Sequence, residues 1–217
     1  MPEHQNIPAG NFSVWLLQTR NALFDGKGSD VACGDCIGCC SSSYFIHIKP
    51  GDTAALARIP EVILAAAPGL PKGNVLMGYD KNGLCPKLAN SKCSIYEHRP
   101  QTCRDYDCRV FAAAGIAAGG SEKEVINQRV KSWKFSYPTA QDRADHLAVQ
   151  AAASFIQKNA ASFPGGRVPD NPSQLAILAL KVYSIFLDKD KTATNPQIAN
   201  AIIKASREFD QNQASQA

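Results

Sequence analysis

The chain has 217 residues, of which 45% are apolar, 19% charged and 8% aromatic, with 15 glycines and 13 prolines. That is the make-up of a globular protein with enough chain to bury a core, and it excludes a disordered tail, a collagen and a coiled-coil rod. The formal charge of +4, from 23 basic and 19 acidic side chains, is too small and too evenly spread to argue for DNA or an anionic membrane as partner.

In chain order three parts can be read: 1–32, 33–110 and 111–217. The first opens with a predicted helix over about 11–25, where Phe12, Trp15, Leu16 and Leu23 recur at helical spacing. It ends in the loop Asp25–Asp30, whose Gly26-x-Gly28 lacks the third glycine and the preceding strand of a nucleotide loop. In the second part, Ser43–Ile48 reads as a short strand stopped by Pro50-Gly51. Short helices near 53–58 and 61–67 are broken by Pro60 and Pro68. Val75–Tyr79 and Leu84-Cys85 flank Asp80–Gly83 as a predicted hairpin.

The third part reads as helical throughout. Ser121 and Glu124 have the spacing of a capping box before Ile126, Val130 and Trp133. Thr139 starts a long helix on which Leu147, Ala151 and Phe155 repeat every four residues. Asn171-Pro172 and Asn195-Pro196 each place a capping Asn before a Pro at the first helical position. The helices they open carry Leu175/Leu178/Val182/Ile185 and Ile198/Ile202/Ala205/Phe209, stripes that suit core contacts. The expected architecture is mostly α with a small irregular β element: an N-terminal helix and loop, a cysteine-rich metal-binding module, and a helical region packed on it.

All eight cysteines lie between Cys33 and Cys108. The first cluster is Cys33, Cys36, Cys39 and Cys40; the second is Cys85, Cys93, Cys103 and Cys108. Spacing of two lets a loop turn successive sulfurs onto one ion or cluster, with Gly34 and Gly38 giving the backbone room. Four thiolates suit zinc, and the same ligand set holds an iron–sulfur cluster. Adjacent side chains point apart, so Cys39 and Cys40 are expected to serve different centres, or only one to ligate. Cys33, Cys36 and one of that pair are expected to share a site with a cysteine of the second cluster. Lys87, Lys92, Arg99, Arg104 and Arg109 stand where they can offset thiolate charge. A disulfide framework, or buried unliganded thiols, are the competing readings.

Cys33-x2-Cys36-x2-Cys39-Cys40, followed by Cys85-Pro86, Cys93-x-Ile95-Tyr96-x2-Arg99-Pro100-x2-Cys103-Arg104 and Cys108, resembles the YkgJ-type cysteine-cluster (CxxCxxCC) family. Its members are described as zinc- or iron-chelating, and some as iron–sulfur oxidoreductases. The resemblance covers residues 33 to about 110. It implies that all eight cysteines bind metal and that the origin is bacterial, and it implies no activity. A related cysteine cluster appears in flagellin lysine methylases, but this chain is short for one and has no Gly-rich loop to hold a methyl donor.

The expected function is a cytoplasmic metal-binding protein holding iron–sulfur or zinc centres, in electron transfer or sensing. The lean is to iron–sulfur, because Cys-x2-Cys-x2-Cys resembles ferredoxin loops. The alternatives are a structural zinc module whose helical part, 111–217, docks a protein partner, and a thiol–disulfide oxidoreductase using Cys33-Gly34-Asp35-Cys36. No strand or βαβ pattern surrounds that tetrapeptide. Localisation rests on the start, Met-Pro-Glu-His-Gln-Asn, which lacks the basic and apolar regions of a signal peptide. No apolar run has the length of a membrane-spanning helix. His47 reads as a packing residue with a ligand role as alternative, and His98 as a group able to polarise a thiol. Asp105 and Asp107 read as turn caps.

Overall fold

The computed structural model describes residues 6–25, 28–29, 31, 34–187 and 192–214. In chain order its elements are β1 (Ile7–Asn11), α1 (Phe12–Asp25), β2 (Ile46–Ile48), α2 (Thr53–Leu56), β3 (Leu64–Ala66), β4 (Val75–Met77), β5 (Leu88–Ala89) and β6 (Lys92–Cys93). After them come α3 (Gln101–Asp105), α4 (Arg109–Ala114), α5 (Glu124–Ser132), β7 (Trp133–Ser136), α6 (Ala140–Lys158), α7 (Pro172–Val182) and α8 (Asn195–Ala214). The protein is mostly helical with small irregular sheets, and a cysteine-rich region precedes the long helices. Two compact units divide it. One takes in the N-terminal segment to Asp25, Cys108–Ala118 and the chain from Val130 on; the other takes in Gly26–Asp107 and Gly119–Arg129.

In the helical unit, α1 starts where Phe12 meets the predicted apolar stripe, and it buries Phe12, Trp15 and Leu16. The expectation of helix throughout 111–217 fails at β7, which pairs in parallel with β1, Ile7 opposite Trp133 and Asn11 opposite Ser136. Trp133 and Phe135 alternate there with Lys134 and Ser136, so the local period is two, not helical. Thr139 caps α6 as expected, through a capping box with Asp142. Asp142 also accepts from the Ser13 backbone at 3.0 Å, and Asp145 from the Ser13 hydroxyl at 2.9 Å. The Thr139 hydroxyl, first, and the Ser13 N–H hold the Asp142 carboxyl below the usual carboxylate range.

The buried face of α6 is not the predicted row. Leu147 is 61% exposed, while Ala148, Val149, Ala152, Ala153 and Ile156 are buried. Small side chains let neighbouring helices approach, which outweighs burying one leucine. Asn171 caps α7 as expected, accepting from Ser173 and Gln174. At α8 the cap is Thr194, whose backbone and hydroxyl donate to Gln197 at 2.7 and 2.9 Å. Asn195 turns away to Asn159. One histidine stands out: His146 stacks on Phe12 at 4.3 Å, and its Nδ1 is 2.7 Å from the Tyr137 hydroxyl. Burial lowers its pKa.

The other unit is built on a three-stranded antiparallel sheet, order β2-β4-β3. Ile48, Ala55, Ile59, Met77 and Ile95 form its core. The helix expected over 61–67 is a single tight turn, Glu61–Ile63, followed by β3. So short a segment cannot repay helix nucleation, and pairing with β4 wins. The hairpin expected at 75–85 is only a turn: β4 pairs with β2 and β3, and Leu84 meets Asp80 alone. A tight hairpin forms instead at β5–β6, whose loop residues Asn90 and Ser91 both have positive φ, as a two-residue type I′ turn requires. The capping box expected at Ser121 gives way to a turn at Ser121–Lys123, where Glu122, not Glu124, accepts from the Gly120 backbone.

Candidate metal centre

The first cysteine loop is shaped by glycine and by serine hydroxyls. Gly34 has φ +55, a left-handed value. At Gly38 a Cβ would stand 3.2 Å from Ile126 Cγ1 and 3.4 Å from Cys36 Sγ, so a side chain there would crowd α5 and need Ile126 to give way by a few tenths of an ångström. The Gly38 N–H donates to Cys36 Sγ at 3.4 Å. Cys39 and Cys40 stand in the turn Cys39–Ser41, where Ser41 Oγ donates to Ile37 O at 2.9 Å and Ser42 Oγ to Gly38 O at 2.6 Å. Lys123 Nζ donates to Ser42 O and sits 3.8 Å over the Tyr44 ring, tying the loop to the start of α5.

The second loop is joined to the first through backbone. The Cys85 N–H donates to Cys40 O at 2.7 Å, and the Ser43 N–H to Gly83 O at 3.0 Å. The side chains follow: the Cys40 and Cys85 sulfurs lie within hydrogen-bond reach of one another. That bond, first, then burial and the charges of Cys85, Cys39 and Cys93, push the Cys40 thiol well up. The same bond, with the Lys87 and Leu88 N–H groups and the Lys87 charge, pulls Cys85 down to about 6 against the cost of its burial. Cys85 and Cys93 both pack on the sheet core, Cys93 being set opposite Leu88 by the β5–β6 hairpin.

Cys103 lies on α3, which two contacts pin to β2 and its flank. Asp52 Oδ1 accepts from the Gln101 N–H at 2.9 Å, and Thr102 Oγ1 donates to His47 O at 2.6 Å. Asp52 Oδ2 also accepts from the Lys49 N–H at 2.9 Å. Cys108 belongs to the helical unit, where the Trp133 indole N–H donates to its sulfur at 3.2 Å. Cys33 lies outside the described residues. The seven described cysteines are half-buried and in no disulfide.

Of the five basic residues, Lys87 is shown to act on a sulfur. Arg99 folds over its own Tyr96 ring at 3.9 Å, Arg104 donates to Glu97 O at 3.1 Å, and Arg109 stands 5.9 Å from the rings of Trp15 and Trp133. His47 spends its Nε2 on Asn74 Oδ1 at 2.8 Å, which makes it a packing residue. His98 sits half-buried in the turn Tyr96–His98. Asp105 accepts from Gln101 at 2.7 Å, within α3. Lys123, Asp52 and Thr102 went unnoticed in the sequence, because their roles depend on partners 49 to 81 residues away.

Cys39, Cys40, Cys85 and Cys93 therefore share one neighbourhood, and thiolates are soft donors of the kind zinc and iron accept. The donor set fits such a metal. Among the described residues, no three Cys, His, Asp or Glu side chains are already closed around a metal position. Residues 32–130 match the CxxCxxCC family, described as "Putative zinc- or iron-chelating domain". Over that span the chain is similar to that family. The match runs past Cys108 to residue 130, and so takes in the 119–129 segment that carries Lys123 and Ile126. No curated protein and no solved structure is similar enough to count as a match. No described helix is long and apolar enough to cross a membrane.

Proposed function

We propose that the cysteine module chelates one or more iron–sulfur or zinc centres through thiolates, in the cytoplasm, and that Cys33, Cys36, Cys39, Cys40, Cys85, Cys93, Cys103 and Cys108 are the donors. The contact between Cys40 and Cys85, reinforced by the backbone bond between the same two residues, carries the reading. It brings the two clusters together sulfur to sulfur. An iron–sulfur centre, the form we favour, would supply one-electron transfer or sensing. The chain's own part is to hold Cys85 as a thiolate through the Lys87 and Leu88 N–H groups, to offset charge with Lys87, and to fix the loops by Lys123 and Asp52.

Anaerobic purification followed by iron, zinc and acid-labile sulfide analysis tests the proposal. Stoichiometric iron with sulfide supports the iron–sulfur form. Zinc without sulfide keeps chelation but makes the module structural or metal-handling, and moves attention to a partner of the helical region. Substoichiometric metal, with every thiol titrating in the folded protein, overturns chelation itself.

A further inference from the structure

The helical unit carries a cleft of about 240 Å³ between the loop at 163–169 and helices α7 and α8. Phe163, Leu178 and Ile202 make its floor, and Arg167, Ser206 and Arg207 stand at its rim. No acidic side chain lines it among the described residues. The nearby ion pairs are made by lysines, Lys181–Asp210 at 2.6 Å and Lys204–Glu208 at 3.8 Å, and among the described residues neither arginine has a carboxylate partner. Two guanidinium groups thus flank an apolar hollow with no carboxylate paired to them among the described residues.

We propose that this cleft binds a small apolar monocarboxylate. The charge decides the head group, since a planar guanidinium fork matches a carboxylate, and Ser206 adds a third donor at the same rim. The floor decides the body, because it offers no polar side chain to a sugar or a nucleotide. The size decides the class: 240 Å³ is the room of about eight water molecules and falls short of the roughly 300 Å³ at which drug-sized sites begin. A hydrocarbon tail of about eight carbons fills it. The site is independent of the cysteine module and of any metal there.

Octanoate titrated into the full-length protein, followed by proton–nitrogen correlation spectra, tests the proposal. The expected result is saturable shifts gathered at Leu178, Ile202 and Ser206. R167Q and R207Q each weaken binding by about tenfold or more, as loss of one charge-assisted bond should. Octanol, which keeps the body and lacks the charge, binds at least about tenfold more weakly to the unmodified protein. The comparison of octanoate with octanol needs no variant, so it decides the matter even if a substitution unfolds the helices. Absence of saturation, shifts that map elsewhere, or equal affinity for octanol would overturn the assignment.

Discussion

Asp52→Ala is the perturbation that best separates the scaffold of the candidate centre from its ligands. Asp52 is not a metal donor in this reading. Its carboxylate accepts from Lys49 and from Gln101, the first residue of α3, so it serves as an N-terminal cap supplied from another loop. A hydrogen bond to a charged acceptor is worth about 1.5–3 kcal/mol, and the bond to Lys49, which lies within the same exposed turn, adds little. Losing both costs about 2–3 kcal/mol of local stability, concentrated on α3. At 1.36 kcal/mol per factor of ten, that raises the open fraction of α3 by about 30- to 150-fold. Metal-free protein is exposed to an alkylating reagent, and the rate at each cysteine is read by mass spectrometry. Cys103 should react faster by that factor, Cys85 and Cys93 much less, because they rest on the sheet core. Asp52→Asn, which keeps an acceptor without the charge, should fall between. A change at Cys103 under threefold, or an equal acceleration at every cysteine, would refute the assignment of Asp52 as the pin of α3.

Lys123→Met probes the other tie. It removes the donor to Ser42 O and the cation over Tyr44, at a cost of about 1–2 kcal/mol. Alkylation should quicken at Cys39 and Cys40 while Cys103 keeps its wild-type rate, the reverse of Asp52→Ala; identical patterns for the two variants would contradict both. Metal removal by a strong chelator should raise amide hydrogen exchange in the loop 34–42 and leave β2 and β4 protected, since their core contains no ligand; collapse of protection across the sheet would show that metal, not the core, holds the module. His146 predicts a pH effect in the helical unit. Its folded pKa lies below the unfolded value, so its contribution to stability is complete above about pH 6.5 and is lost as pH falls through the unfolded value toward the folded one. Tyr137 and, over its ring, Arg143 are the titratable and charged groups beside it. Melting followed by the fluorescence of Trp15 and Trp133 should drop between about pH 7.5 and 5.5 in the wild type and drop less in His146→Phe; parallel curves would remove His146 as the cause.

What could be read in advance was what local chemistry decides. The Asn171-Pro172 cap and the Thr139 helix start lie within three residues of the groups they satisfy, so their signals sit in one short window. The first helix announced itself because Phe12, Trp15 and Leu16 are large and correctly spaced. The parallel pair β1–β7 joins segments more than a hundred residues apart, so neither short segment names its partner. The buried face of α6 is mostly alanine and small residues, which hydropathy ranks below the exposed Leu147. At the candidate centre the residue types were legible and the pairing was not. Cysteine spacing named the candidate donors, while the meeting of Cys40 with Cys85 depends on Ser43 and Gly83 joining their backbones. His47 shows the converse: its identity suggests a ligand, and only the position of Asn74 turns it into a packing residue.

The hydrogen bonds of the module imply an order of construction. A small metal domain without a core folds only when its ions bind, because nothing else repays the entropy of closing the loops. Here Ile48, Met77 and Ile95 are buried by the sheet and its flanking turns, and Cys85 and Cys93 are already set against them. The first cysteine loop is then drawn onto the second by Cys85 N–H to Cys40 O and Ser43 N–H to Gly83 O, neither of which involves a sulfur. The chain thus spends backbone contacts, rather than metal affinity, on bringing the two clusters together. A metal arriving at sulfurs gathered in this way meets loops already tied by hydrogen bonds, so its binding free energy goes to affinity and selectivity more than to folding. That division of labour is why Lys123, Asp52 and Gly38, none of them a candidate ligand, belong to the centre as much as the cysteines do.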